Sequence, residues 1–499
     1  MKPMGTITKY YPFMDGESKS ILDAIMAESS NYYDFAQRLG HHVLENEVPI
    51  NLAYIAVVQV WWCRLEEVKG LIRERYKNLP HIKPWGYPHA SIESDQAQYH
   101  DTVARAVDEA IDTSIDDWIK TELHLLHAFY HWPVHGDVPS LVEPLEKAKD
   151  LMKANPALVC FEPLVQHFEG VIKQREGDMK GAIQDFERGQ KIAETYDDVL
   201  YKYVNMLGRA GVPLGFNVQE ALALYEDLNG LTQDLEVPYF IYEVLNDSAI
   251  AFEAAGEYDL AIACYHENVK ADSQEFVSSP MLLRIYCTLG KGELALEWAD
   301  RSLNCPGNLR YSILYSRKAW ALALLGRLEE AEHNLDLARS LVMKSGSERE
   351  LGYYYLASGT IEFKSGDFPS AIDLFKQVLE ISERTLNPII RNLALLGLAG
   401  VEIAVASKSK AGTHDVTPGE WLSQLERYAV ECDLPGIRMQ AALLKSELYQ
   451  KHGQLRDAHA ILVDALDITD SLGVKTLRNR ISVRIQELER LMLDEELVS

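Results

Sequence analysis

Basic residues are in short supply. The 499-residue chain sets 49 Lys and Arg against 75 Asp and Glu, a formal charge of 49 − 75 = −26. Affinity for nucleic acid comes mainly from cations that neutralise phosphates, so a surface this acidic repels RNA and DNA. The densest basic stretches, Arg73/Arg75/Lys77 and Lys408/Lys410, are short and interrupted and read as solvated faces. Cysteine is scarce as well. Cys63, Cys160, Cys264, Cys287, Cys305 and Cys432 stand far apart, which excludes a zinc ribbon and a dithiol motif and leaves them as reduced residues, most of them buried. Long apolar runs are missing too: the longest, "INLAYIAVVQVWWC" from Ile50 to Cys63, is shorter than a membrane span and carries Asn51 and Gln59. It is predicted to be a buried helix. The N-terminal stretch lacks the basic start, apolar middle and small-residue cleavage site of a secretory signal. A cytoplasmic protein that meets neither nucleic acid nor membrane is therefore expected.

Catalytic signatures are also lacking. There is no Gly-x-x-x-x-Gly-Lys-Ser/Thr loop, no Gly-x-Ser-x-Gly elbow and no His-Glu-x-x-His pair. Adjacent carboxylates such as Asp116/Asp117, Asp197/Asp198 and Glu329/Glu330 point away from each other on a helix, so they read as surface charge, not an acid/base couple. The one concentration of ligand-type side chains is "HLLHAFYHWPVH", where His124, His127 and His131 share a helical face, His135 follows, and Glu122 and Asp137 lie nearby. Two neighbouring imidazoles suit zinc or nickel. From His124 to His131, however, is two helical turns, about 10 Å, so one tetrahedral ion cannot take both ends, and further ligands would have to come from His81, His89 or His100. Polar packing between helices is the main reading of this cluster. A metal-dependent enzyme or metal-binding protein built on His124–His135 is the alternative. No cofactor is expected.

What the chain does contain is a repeated phrase: Gly, four residues, then Ala. It occurs as "GDMKGA" at Gly177, "GEYDLA" at Gly256, "GKGELA" at Gly290, "GRLEEA" at Gly326, "GDFPSA" at Gly366 and "GQLRDA" at Gly453. Four residues beyond each Ala stands Phe186, Tyr265, Ala299, Leu335, Phe375 or Leu462, one helical turn on along the same face. Twelve residues before it stands Gly170, Ala249, Leu283, Ala319, Gly359 or Ser446, five of them small. The pattern predicts a helical hairpin per unit: Gly ends the first helix with positive φ, and Ala marks where the second crosses it. Spacings of 34, 36 and 40 residues separate Ala261, Ala295, Ala331 and Ala371. Weaker copies put Leu141 and Ala221 in the Ala place, and the stretch from Ala371 to Ala458 holds two units with a lengthened loop from about Lys408 to Thr417. Nine units are counted.

At these residues the sequence resembles the tetratricopeptide repeat family, and the longer units resemble those of sensory and regulatory proteins of bacteria and archaea. It departs in lacking the early Trp of the repeat and in keeping the closing Pro only at Pro156 and Pro306. The resemblance implies an all-α, right-handed α-solenoid: a helical N-terminal domain over 1–116, a repeat array over 117–472 and a capping helix over 473–499. It also implies that first helices line a concave groove. The positions that face the groove in this family include Arg284, Trp320, Tyr353 and Phe363, giving an apolar, aromatic middle. The Lys/Asn/Arg set with which some members grip an acidic C-terminal tail is absent. The expectation is a non-enzymatic scaffold or adaptor that binds a peptide, helix or protein surface with Arg284, Trp320, Tyr353 and Phe363. A neighbouring helix of the same chain filling the groove is the competing arrangement, and a ligand-sensing regulatory subunit is a further reading.

Overall fold

The computed structural model describes residues 4–86, 96–114, 116–135, 138–215, 217–270, 275–305, 311–385, 387–408, 419–472 and 475–498. Among them all regular structure is helical. The chain divides into two compact units, residues 1–212 with 223–244 and residues 213–222 with 245–499. All three cuts fall inside the stretch expected to form the array.

The first unit opens with α1 (Met4–Thr8), α2 (Gly16–Glu28), α3 (Tyr32–Glu45), α4 (Ile50–Trp62), α5 (Glu66–Arg75) and α6 (Gln96–Thr113), none of which carries the phrase. In α4 every residue from Leu52 to Trp62 is buried, as the apolar run predicts. Its buried amide, Gln59, accepts a hydrogen bond from the Tyr32 hydroxyl at 2.8 Å. Two hairpins follow, α7 (Asp117–His135) on α8 (Val138–Ala154) and α9 (Glu162–Glu176) on α10 (Met179–Thr195), with α11 (Val199–Gly211) packed against α10.

Two helices, α12 (Val218–Leu235) and α13 (Pro238–Ala255), contribute residues to both units. The second unit continues with α14 (Tyr258–Lys270), α15 (Glu275–Thr288), α16 (Gly292–Asn304), α17 (Tyr311–Leu324), α18 (Leu328–Ser345), α19 (Glu348–Ser365) and α20 (Phe368–Arg384). It ends with α21 (Pro388–Lys408), α22 (Glu420–Glu431), α23 (Pro435–Lys451), α24 (Leu455–Leu472) and α25 (Lys475–Val498). Each helix packs on the next, and each first helix also packs on the first helix of the following hairpin: α15 on α17, α17 on α19, α19 on α21 and α21 on α23. That nearest-neighbour pattern is the packing of a helical solenoid. The helix α21 is apolar enough to cross a membrane by composition, with a mean hydropathy of 1.8 over 388–407. Here Ile390, Ala394, Leu398 and Val401 are packed in the core of the unit. In α25, Ile481, Ile485 and Leu488 are buried as a capping helix requires. The expected long loop falls on 409–418, and Pro306 on 306–310, outside the described residues.

The phrase does locally what its spacing predicts. All six phrase glycines have positive φ, from +70° at Gly290 to +93° at Gly366. After each, the next N–H reaches back to a carbonyl five residues earlier, as from Asp178 to Lys173 at 2.9 Å and from Asp367 to Glu362 at 3.0 Å, closing the helix in a Schellman turn. Ala182, Ala261, Ala295, Ala331, Ala371 and Ala458 are fully buried, and so are Leu141 and Ala221 in the weaker copies.

The second unit also returns upon itself. At the start of α23, Gly436 lies against the end of α13. A Cβ there would sit 2.8 Å from the Gly256 nitrogen and 2.9 Å from the Ala254 oxygen. Gln440 donates a hydrogen bond to the Tyr258 hydroxyl. Val218 and Ala255 share one core cluster with Leu395, Leu422, Leu434 and Ile437.

Candidate functional site

The positions expected to line a groove lie on the first helices α15, α17 and α19. On α15, Arg284 is buried and spent on Glu253, with Nη1 donating to Oε2 at 2.8 Å and Nη2 to Oε1 at 2.5 Å. Tyr265 donates to the same carboxylate at 2.7 Å. On α17 and α19, Trp320 is 8% and Tyr353 3% exposed, and both belong to the unit's main core cluster. Phe363 is half-buried beside Phe368, with ring centroids 6.0 Å apart. The stripe is thus mostly interior and not an open aromatic surface. Successive first helices pack closely enough that their inward side chains cover one another. Arg284 and Tyr353 come together, whereas Phe363 lies ten residues further along α19, about 15 Å away along the helix axis.

The residue that completes this cluster is Arg317, which the family's groove positions do not include. It is 3% exposed, yet among the described residues no carboxylate pairs with it. Its Nη1 donates to the Pro280 carbonyl at 2.7 Å, its guanidinium lies 4.6 Å from the centroid of the Tyr353 ring, and its Nε has no partner. A guanidinium keeps its charge in proteins, so Arg284 is neutralised here and Arg317 is not. Tyr353 registers the excess. Burial pushes its phenol up, but Arg317, Arg349 and Arg284 outweigh burial and bring it below the ordinary tyrosine value. Eleven other tyrosines, Tyr10, Tyr32 and Tyr265 among them, are instead raised. In a chain of charge −26, this is a local excess of positive charge. The legible signal was "YSRKAW", an arginine set among small residues on a largely apolar helix.

The histidine cluster behaves differently. Glu122 and His124 are two residues apart on α7 and so face different ways. Glu122 is buried and accepts from the Tyr10 hydroxyl at 2.6 Å. Burial outweighs Lys9 and its hydrogen bonds and raises its pKa to about 7. His124 is buried without a partner for Nδ1, and burial, with Lys147 nearby, lowers it to about 4. The side chains of His131 and His135, together with Asp137 and His89, lie outside what the structure describes. Among the described residues no three His, Cys, Asp or Glu side chains are grouped to hold a metal. The six cysteines are all unbridged, four of them buried.

No protein-family model matches the chain, and no curated protein matches it. Solved structures do. A tetratricopeptide repeat protein from Parabacteroides merdae is 17% identical, covering 56% of this chain and 99% of its own, with a TM-score of 0.38. The apo form of the quorum sensor NprR from B. thuringiensis is 15% identical over 84% of this chain and 99% of its own, with a TM-score of 0.37. A ligand-bound phAimR is 16% identical over 77% and 97%, with a TM-score of 0.42. The left-handed phrase glycines, the buried alanines and the stacked hairpins make this chain, by fold, a tetratricopeptide-type helical repeat protein.

Proposed function

We propose that the protein is a non-enzymatic, cytoplasmic interaction scaffold that holds a peptide or protein segment against the first-helix face of the second unit. In this reading an acidic group of the partner pairs with Arg317; Arg284, Trp320 and Tyr353 form the wall around it, and Phe363 meets the partner further along α19. The observation that supports it is the uncompensated charge of Arg317. A buried cation without a counter-ion is costly, and a carboxylate meeting the guanidinium's fork is its natural complement. Exposed Arg349, which acts on the same phenol, leads to the cluster from solvent. A ligand-sensing role is compatible with the return contact at Gly436, because Glu253, which pairs with Arg284, stands at the same end of α13 as Ala254–Gly256.

The test is an array of random free-acid peptides probed with the wild-type protein and with Arg317→Met, which keeps the side-chain length and removes the charge. Acidic peptides retained by the wild type should bind the variant at least tenfold more weakly. Equal binding by both would remove Arg317 from the site.

A further inference from the structure

The first unit carries an arrangement that the reading above does not use. Residues 4–14 form α1 and a 3-10 turn at Tyr11–Phe13, too little helix to persist alone. They are nevertheless built into the unit. Gly5 lies on the corner between α10 and α11, where a Cβ would stand 1.8 Å from the Tyr196 carbonyl oxygen and 2.4 Å from that of Asp197. Only glycine passes there. One turn on, Lys9 Nζ meets Asp198 Oδ2 at 2.8 Å, with both side chains 1% exposed. It also lies 3.4 Å from the Tyr201 ring centroid. Thr6 donates to the other Asp198 oxygen at 2.9 Å. Next to Lys9, Tyr10 donates to Glu122 on α7 and sets its ring edge-on to Trp118 and Phe161.

The segment is therefore gripped as a peptide ligand is gripped. One position admits no side chain, a cation four residues later meets a buried carboxylate, and an aromatic hydroxyl beside it meets a second. The receiving groups, Asp198, Tyr201 and Glu122, belong to α7, α11 and the residue that opens α11. Desolvation of the buried Lys9–Asp198 pair offsets much of its attraction, so the charges select the occupant more than they hold it. We propose that this face is a peptide-acceptor site, occupied here by residues 4–14, and that it takes in exchange a partner segment of the same chemistry, Gly-x-x-x-Lys-Tyr.

The experiment uses full-length Gly5→Leu, whose own segment cannot seat against the Tyr196–Asp197 backbone while the acceptor residues are unchanged. The probe is a labelled synthetic peptide, MKPMGTITKYYPFM, matching residues 1–14. It should bind the variant saturably and the wild type at least tenfold more weakly, and a Lys9→Met version of the peptide should lose at least tenfold on the variant. A variant of wild-type helicity that ignores the peptide, or that binds both versions equally, overturns the proposal. A concentration-dependent wild-type dimer formed by exchanging these segments assigns the site to a second copy and also overturns it. Should Gly5→Leu not fold, hydrogen exchange on the wild type decides. Amides of residues 6–14 exchanging together at least tenfold faster than those of α4 support an exchangeable occupant, and exchange only with global unfolding overturns it.

Discussion

Buried titratable groups set opposite pH dependences within the first unit. Glu122, raised to about 7 by burial, binds its proton more tightly folded than unfolded, so its contribution falls as pH rises from the ordinary glutamate range to about 7. His167 is packed beside Phe129, with ring centroids 6.3 Å apart, and burial lowers it to about 4. Its sign is reversed: its contribution is complete above the unfolded histidine value and is lost as pH falls toward 4. His124 adds to His167. Denaturant unfolding should therefore show stability rising from pH 5 to 6.5, and His167→Gln should shrink that rise by roughly 1–2 kcal/mol. Glu122→Gln, which keeps an acceptor for Tyr10, should stabilise the protein at pH 8 by roughly 1–3 kcal/mol and have little effect at pH 5. Asp198 marks where reading residues singly went astray. Adjacency with Asp197 indicates that the two carboxylates diverge, and so they do: Asp197 takes a positive φ of 53° at the corner. Asp198 turns inward, accepts from the Leu200 and Tyr201 N–H groups and meets a lysine 189 residues away. No local pattern announces a partner at that distance.

At the level of helices, the phrase was legible because it encodes short-range geometry: a left-handed glycine, then an alanine at a crossing. Ala371→Glu should lower stability by more than about 2 kcal/mol, since it drives a charge into a fully closed crossing; a melting temperature unchanged from wild type would contradict the register. A second small position went unread. Twenty-six residues beyond the first five phrase Ala residues, in the next first helix, stand Gly208, Cys287, Ala321, Ala357 and Gly397. The structure gives the reason. Phe186 lies between Gly170 and Gly208, and Phe375 between Gly359 and Gly397, with an ideal Cβ on any of these glycines within 3 Å of the ring. Each ring is thus clasped by the helix before it and the helix after it. The sequence signal was present, but it belongs to the contact between hairpins and is invisible within one unit. How open the groove is was illegible for a similar reason, because family positions locate the inward face of a first helix without telling how tightly successive inward faces close.

For the molecule as a whole, the repeated phrase located the class well: helical and repetitive. It did not reveal how the second unit ends. The meeting of Gly436 with Ala254–Gly256 joins residues some 180 positions apart, and backbone-to-backbone proximity leaves no periodic mark. Gly436→Val should cost roughly 1–3 kcal/mol by overpacking. Hydrogen exchange should then quicken at both 254–258 and 434–440; a change confined to α23 would deny that the two ends support each other. An open row of repeats loosens from its outermost members inward, each one free to detach without its far neighbour's consent. With its early and late helices clasped together, the second unit resembles a fastened bracelet, and its outermost members have to break that catch before they can peel away.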